Sequence, residues 1–320
     1  MLAYPLFAIG LFFLVYGGDW LVKGSVGLAE RLSIPPLIIG LTIVAFGTSA
    51  PELVISLNAA LGGAGGLAVG NVVGSNIANV LLVLGAPALI TPIIFADHGV
   101  KRSLIFLVIT TVIFMGMLAT GTLGRLFGLV LLVMLASFLY MQYRDAMSQK
   151  AADAAAAAED DYLDEVGEVP TETRTIVIYI LMGLIALPLA AHVTVSAATD
   201  IALQWGVSEA VIGLTIVAIG TSLPELATGI SAARQGNASV GVGNVIGSNL
   251  FNIAAIMGIT ATVIPVGVAA HIINFDMWVM FVATLFLIAL PLLNIKIDKG
   301  MGALLLGFFS VYILATVLIT

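Results

Sequence analysis

Two glutamates, Glu52 and Glu225, stand inside otherwise apolar stretches of this chain. Both sit in the same setting, GTSAPEL at 47–53 and GTSLPEL at 220–226. A charge at the centre of a membrane helix costs at least ~2.5–3.5 kcal/mol on insertion scales, so such a residue faces an interior partner. Ala45, Thr48, Ser49 and Glu52 follow the i, i+3, i+4, i+7 spacing that places them on one helical face, and Ala218, Thr221, Ser222 and Glu225 repeat it. Ser75 and Asn79 form a further i, i+4 pair, matched by Ser248 and Asn252. Every polar side chain in this set offers oxygen, and none offers sulfur or imidazole. Oxygen ligands suit hard cations such as Ca2+ and Na+ and not zinc or copper. Pro51 and Pro224 add to this, because a proline within a helix removes a hydrogen bond to the carbonyl four residues back, here those of Gly47 and Gly220. Freed carbonyls are costly in lipid unless they line a cavity or meet an ion. Serine, threonine and glycine alone would be satisfied by back-bonding and helix packing. Two copies of GTSxPEL, each followed by GSNxxN, go beyond packing and describe a cation site.

The elements that must carry these residues are membrane helices. Of 320 residues, 61% are hydrophobic and 9% charged, and the mean hydropathy is +1.17. Soluble domains average about 45–50% apolar and about 25% charged residues. That excess excludes a soluble enzyme, a disordered chain and a nucleic-acid binder, and makes the lipid bilayer the main partner. The net charge of −7 is no acidic surface, since half of the 18 acidic residues lie between Asp145 and Glu172. There is no cysteine, so no disulfide and no thiolate metal site. With roughly 20 apolar residues per crossing, ten transmembrane helices are expected, near 4–28, 35–60, 67–92, 102–120, 123–143, 175–199, 208–232, 240–264, 275–293 and 301–319. The opening MLAYPLFAIG reads as a retained first span. The single long polar stretch divides the chain into 1–143, an acidic loop at 144–174, and 175–320.

A shift of 173 residues superposes the halves. Residues 40–79 and 213–252 share 23 identities in 40 aligned positions without a gap, and the polar positions coincide. Five spans per half is an odd number, so the second copy must enter the membrane from the opposite side. The expected fold is therefore an all-α integral membrane protein of two inverted five-helix repeats, an arrangement typical of secondary transporters with their site near the midplane. With the N-terminus outside, ten of the eleven basic residues fall at cytoplasmic ends, Arg125 being the exception. This places both termini outside and loop 144–174 in the cytoplasm of a multi-pass plasma (inner) membrane protein.

The paired segments GTSAPE and GTSLPE, with GNVVGSNIAN and GNVIGSNLFN, resemble the two α-repeats of the Ca2+/cation antiporters, and within them the prokaryotic sodium/calcium exchangers. The resemblance spans the whole chain. It implies a diamond of cation sites between the second, third, seventh and eighth helices, with Thr48, Glu52, Thr221 and Glu225 binding Ca2+. It further implies sodium sites from the backbone oxygens of Ala45 and Ala218 and the side chains of Ser49, Ser75, Ser222 and Ser248, with Asn79 and Asn252 at the centre. Position 252 is often aspartate in sodium/calcium and potassium-dependent members, whereas here it is asparagine. Two acids instead of three argue against potassium co-transport and leave proton coupling open.

The resulting expectation is a secondary active antiporter, functional as a monomer, that exchanges Ca2+ for Na+ by alternating access. A Ca2+/H+ antiporter using the same two glutamates is the alternative. No resident cofactor is expected. A passive channel fits less well, because channels usually build a ring from identical subunits. An intramembrane enzyme lacks support in the absence of a Ser/His pair, paired aspartates or HExxH. Asp19 and its repeat equivalent His192 read as structural, and Asn71, Asn76, Asn244 and Asn249 as makers of helix–helix hydrogen bonds. The acidic loop lacks the D-x-D-x-D-G order of a calcium loop and reads as a solvated linker. Asp97, His98, Asp276 and Asp298 fall at membrane ends.

Overall fold

In hydrocarbon a backbone can satisfy all its own hydrogen bonds only as a helix or a closed barrel, and the long apolar runs of this chain take the first course. The computed structural model describes residues 2–95, 98–156, 170–206 and 218–319. Among them are α1 (Ala3–Leu32), the bent pair α2 (Pro36–Thr48) and α3 (Ala50–Leu61), α4 (Gly65–Ala88), α5 (Gly99–Leu118) and α6 (Arg125–Lys150). After the interhelical segment follow α7 (Thr173–Gln204), the short α8 (Ala218–Thr221), α9 (Leu223–Arg234), α10 (Ala238–Val263), α11 (Ile272–Leu292) and α12 (Lys299–Leu318). Eight of these are long and apolar enough to cross a membrane, and the α2–α3 pair makes a ninth span. The tenth expected span, 208–232, begins outside the described residues, and its described remainder is α8 and α9. The greater part of the acidic loop, together with Asp97 and the side chain of His98, also lies outside them.

Burial sorts the helices into layers. In α10, 89% of the most apolar stretch is enclosed by protein, against 22% in α6 and α12, so α10 is central and the latter two face lipid. The buried side chains form a large cluster around α4, α5, α10 and α11 and a smaller one between α1, α7 and α2. The smaller cluster is sealed by glycines. Gly10, Gly17 and Gly24, seven residues apart on α1, lie directly against Thr194, Leu187 and Ile180 of α7, while Gly183 of α7 lies against Leu21. Small residues at heptad spacing let two apolar helices approach where lipid supplies no hydrophobic driving force. Asp19 ties α1 to α9 instead: it accepts hydrogen bonds from the Ser231 hydroxyl and from Gln235 Nε2. This is the structural role expected of it, while His192 is exposed.

α2 crosses α10 almost backbone to backbone. A Cβ on Gly243 would stand 2.6 Å from the Leu37 carbonyl oxygen, and one on Gly247 would stand 2.6 Å from both the Leu41 carbonyl oxygen and the Ala45 Cβ. This crossing brings the site residues of the two halves into contact.

The fold departs from purely helical at two small places. The strand β1 (Thr122–Leu123) pairs antiparallel with β2 (Val266–Gly267), and Ile93 exchanges two 2.9 Å backbone hydrogen bonds with Ile297. Val266 is the repeat equivalent of Ile93, so each contact joins the end of a central helix in one half to a link between outer helices in the other. Asp276, expected merely to mark a membrane end, is buried at the start of α11 and accepts a 3.0 Å hydrogen bond from Tyr312 of α12.

Candidate cation site

The kink expected at Pro51 takes the form of a complete break two residues earlier. Ser49 leaves the helical region (φ −85°, ψ 3°), and α2 and α3 diverge by 43°. Ser222 does the same in the second half (φ −85°, ψ 6°). Pro51 and Pro224 thereby become the second residues of new helices, where the missing N–H would have had no partner. Glu52 and Glu225 fall in the first turns of those helices, the end at which the helix dipole favours negative charge. Sequence reasoning put Ala45, Thr48, Ser49 and Glu52 on one face of a continuous helix and missed this half-helix arrangement, which interrupts that spacing at Ser49.

A second local device escaped it altogether. Helical turns widen into π-turns at Gly40–Val44 in α2, Asn79–Val83 in α4 and Phe251–Met257 in α10. The last two are repeat equivalents, and each contains the asparagine of its GSNxxN motif. Such insertions re-aim side chains and are frequent at functional sites, but no local sequence signal announces them.

Residues from both halves meet around these breaks. Ser49 Oγ donates to Glu225 Oε1 at 3.2 Å. Thr48 Oγ1 lies 3.0 Å from Asn244 Oδ1 and 3.3 Å from Ser248 Oγ. The pseudo-symmetric contact joins Ser75 Oγ and Thr221 Oγ1 at 3.4 Å. Glu52 lies within Coulombic range of Glu225. Asn79 Nδ2 donates to Asn249 Oδ1 and Asn252 Nδ2 to Asn76 Oδ1, both at 3.1 Å, so the flanking asparagines make the helix–helix bonds expected of them. Asn71 holds α3 to α4 through Ser56 Oγ (3.0 Å) and the Glu52 carbonyl (3.4 Å). Ala45 carries less freedom than its expected role requires, for its carbonyl already accepts the Ser49 N–H at 3.1 Å and lies 3.4 Å from the Thr48 hydroxyl. Ala218 opens α8, and its side chain lies outside the described residues.

Both glutamates are fully buried, as are Asn79, Ser222, Ser248 and Asn252, with Thr48, Ser49, Ser75 and Thr221 nearly so. Despite this burial, Glu52 Oε1 and Oε2, Glu225 Oε2, Asn79 Oδ1, Asn252 Oδ1 and Ser222 Oγ have no hydrogen-bond partner among the described residues. Buried polar atoms are normally satisfied, and an isolated buried carboxylate is far costlier than a neutral group. Among the described residues neither glutamate pairs with lysine, arginine or histidine. The orphaned oxygens come from both halves and two of their groups are acidic, the donor set a hard cation needs. Two amide nitrogens beside them, Asn244 Nδ2 and Asn249 Nδ2, are likewise buried without a partner among the described residues.

The family model for the sodium/calcium exchanger protein matches residues 2–144 and 175–318. The chain belongs to the sodium/calcium exchanger family. It is 36% identical over 317 residues to the inner membrane protein YrbG of Escherichia coli (strain K12), covering 98% of this chain and 96% of that one. It is 31% identical over 337 residues to the sodium/calcium exchanger MaX1 of Methanosarcina acetivorans, covering 95% of each. The structure of the sodium-calcium exchanger NCX_Mj soaked with 2.5 mM Na+ and 1 mM Sr2+ superposes with a TM-score of 0.82 at 30% identity, over 98% of both chains. As a family member the chain is a multi-pass membrane transporter and not an enzyme, and the fold read from its repeats is that of NCX_Mj.

Proposed function

We propose that the protein is a secondary active antiporter that exchanges Ca2+ for Na+ by alternating access, with Glu52 and Glu225 sharing one Ca2+ near the midplane. The observation that carries this reading is the set of buried, unpartnered oxygens converging from both repeats, for which a divalent cation supplies the missing positive charge. Thr48 and Thr221 complete the calcium position. Ser49, Ser75, Ser222 and Ser248, with Asn79 and Asn252 at the centre and the carbonyls of Ala45 and Ala218, supply the oxygens for Na+. Ala45 can contribute when the Thr48 hydroxyl, 3.4 Å from that carbonyl, turns its proton to Asn244 Oδ1 instead and leaves the lone pair not engaged by Ser49 free. Both halves of the site lie in one chain, so a monomer suffices. The positive-inside pattern favours both termini outside and the acidic loop 144–174 in the cytoplasm, separating the two five-helix units.

Proton coupling is the competing reading, since two glutamates suffice to carry protons. Sodium is favoured because the structure gathers hydroxyls beyond what a proton carrier needs: Ser75 and Ser248 sit on α4 and α10, away from the glutamate-bearing helices, yet hydrogen-bond to threonines of the site. More than two Na+ per Ca2+ would move net charge and make transport sensitive to membrane potential. The expected result is fast uptake of radiolabelled calcium into vesicles loaded with Na+ and slow uptake into vesicles loaded with K+ or choline, even under an imposed pH gradient. Uptake that ignores internal Na+ and follows the pH gradient would replace sodium by protons and leave the calcium site standing.

A further inference from the structure

An asparagine amide has two unlike ends, an oxygen that accepts and an NH2 that donates. A cation can use only the oxygen, so the NH2 of a site asparagine must be held elsewhere. In this structure Asn79 Nδ2 is held by Asn249 Oδ1 and Asn252 Nδ2 by Asn76 Oδ1, at 3.1 Å each. The repeat exchanges these two bonds, because Asn249 stands 173 residues after Asn76 and Asn252 the same distance after Asn79. Asn79 Oδ1 and Asn252 Oδ1 are the ends left buried without a partner among the described residues.

The two holders are themselves held differently. Asn76 Nδ2 donates to the Asn249 backbone carbonyl at 3.2 Å, so turning the Asn76 amide would set oxygen against oxygen. Asn249 bonds through its side-chain oxygen, while its Nδ2 is buried with no partner among the described residues. The side-chain polarity of Asn249 therefore acts only as an acceptor for Asn79.

We infer that Asn76 and Asn249 are positioning residues: by accepting the amide hydrogens of Asn252 and Asn79 across the α4–α10 contact, they fix the oxygens of those two amides toward the cation site. The inference rests on the reading of that site proposed above. It explains why the repeat keeps two asparagines, not one, in each GSNxxN segment. The last turns an oxygen toward the ion, and the first, on the facing helix, holds its partner's NH2 away.

Asn249 gives the cleaner test, because Asn76 has two further bonds to lose, to the Asn249 carbonyl and to Met280 Sδ. Wild type, N249L, N79D and N79D/N249L are reconstituted in vesicles, and half-saturating Ca2+ and Na+ are measured for each. Loss of an outer partner of a metal ligand typically costs 10–100-fold in affinity, so N249L is expected to raise both half-saturating concentrations about tenfold or more. Its elution profile and unfolding temperature should stay close to wild type. An aspartate at position 79 has no NH2 to hold and presents oxygen whichever way it turns. N79D/N249L should therefore differ little from N79D. Wild-type affinity in N249L would overturn the inference, and so would an equal loss in both backgrounds, which would mean that Asn249 only packs. If N249L does not yield folded protein, Asn249→Ser, whose hydroxyl is too short to reach Asn79, takes its place in the same comparison. Glu52→Gln measured alongside separates the two levels. Normal transport in it removes the cation-site reading itself, whereas an inactive Glu52→Gln beside a normal N249L removes only the positioning role.

Discussion

A Glu52→Gln protein is expected to fold, insert and move almost no calcium. Glutamine keeps the size of the side chain and one oxygen, but removes one of the two charges that balance a divalent ion. The remaining hydroxyls and amides of the site are neutral. Breaking a buried charge pair by removing one partner costs about 3–5 kcal/mol, which is more than a hundredfold in affinity. Glu225→Gln should behave alike, because Glu225 has the same burial and the same place at the start of a half-helix. The measurement is calcium uptake into Na+-loaded vesicles, paired with unfolding temperature in detergent with and without Ca2+. A cation that binds only the folded state stabilises it by an amount that grows with its concentration. Wild type should therefore melt higher with Ca2+, and neither glutamine variant should respond. Near-normal flux in either variant would end the two-glutamate reading.

The second large effect concerns the fold. Gly247→Val is expected to lose folded protein outright, because its Cβ would arrive 2.6 Å from the Leu41 carbonyl oxygen and from the Ala45 Cβ. Neither atom can swing aside as a long side chain would, so α2 must move off α10. Overpacking of this kind costs about 1–3 kcal/mol and occasionally more. Here it would also part Thr48 from Asn244 and Ser248. Gly307→Ala on α12 is the control, since a Cβ there meets nothing within 4 Å. Fluorescence-detected gel filtration after heating should show Gly247→Val aggregated or absent and Gly307→Ala at or above wild type. A Gly247→Val protein as stable as the control would contradict the backbone-to-backbone crossing.

How much of this could be read from the residues depends on the distance over which each feature is encoded. The nine spans found among the described residues and the repeated halves are written in apolar runs and in the recurrence of GTSxPEL and GSNxxN, so they were legible at once. Helical spacing alone put Thr48, Ser49 and Glu52 on one continuous face, whereas the chain leaves the helix at Ser49 between them. The helix break at Ser49 was legible only in part: Pro51 signals disruption, but the residue that leaves the helix is set by how α3 packs. The π-turns at Asn79 and Phe251 have no local signature, because any helix can hold an extra residue where tertiary contacts favour it. The same holds for the choice of partner by each asparagine amide. Asn71, Asn76, Asn244 and Asn249 could be named as bonding residues, yet only the crossing of α4, α2 and α10 decides which end of which amide meets which neighbour.

The two short antiparallel contacts have a consequence for how the protein is made. Ile93, at the end of α4, finds its partner Ile297 only just before the last helix, and Leu123 waits for Val266. Synthesis proceeds at about 5–20 residues per second, so the first half spends on the order of ten seconds or more in the bilayer with these backbone groups open. For most of that interval α10, 89% enclosed along its most apolar stretch, has not yet been made, and the face of α2 that will receive it is uncovered. The first five spans are thus an assembly intermediate that the membrane must tolerate, and not a module that finishes folding and waits. A chaperone or insertase that shields polar faces in the bilayer would have its work concentrated there, between emergence of Glu52 and arrival of Asn244.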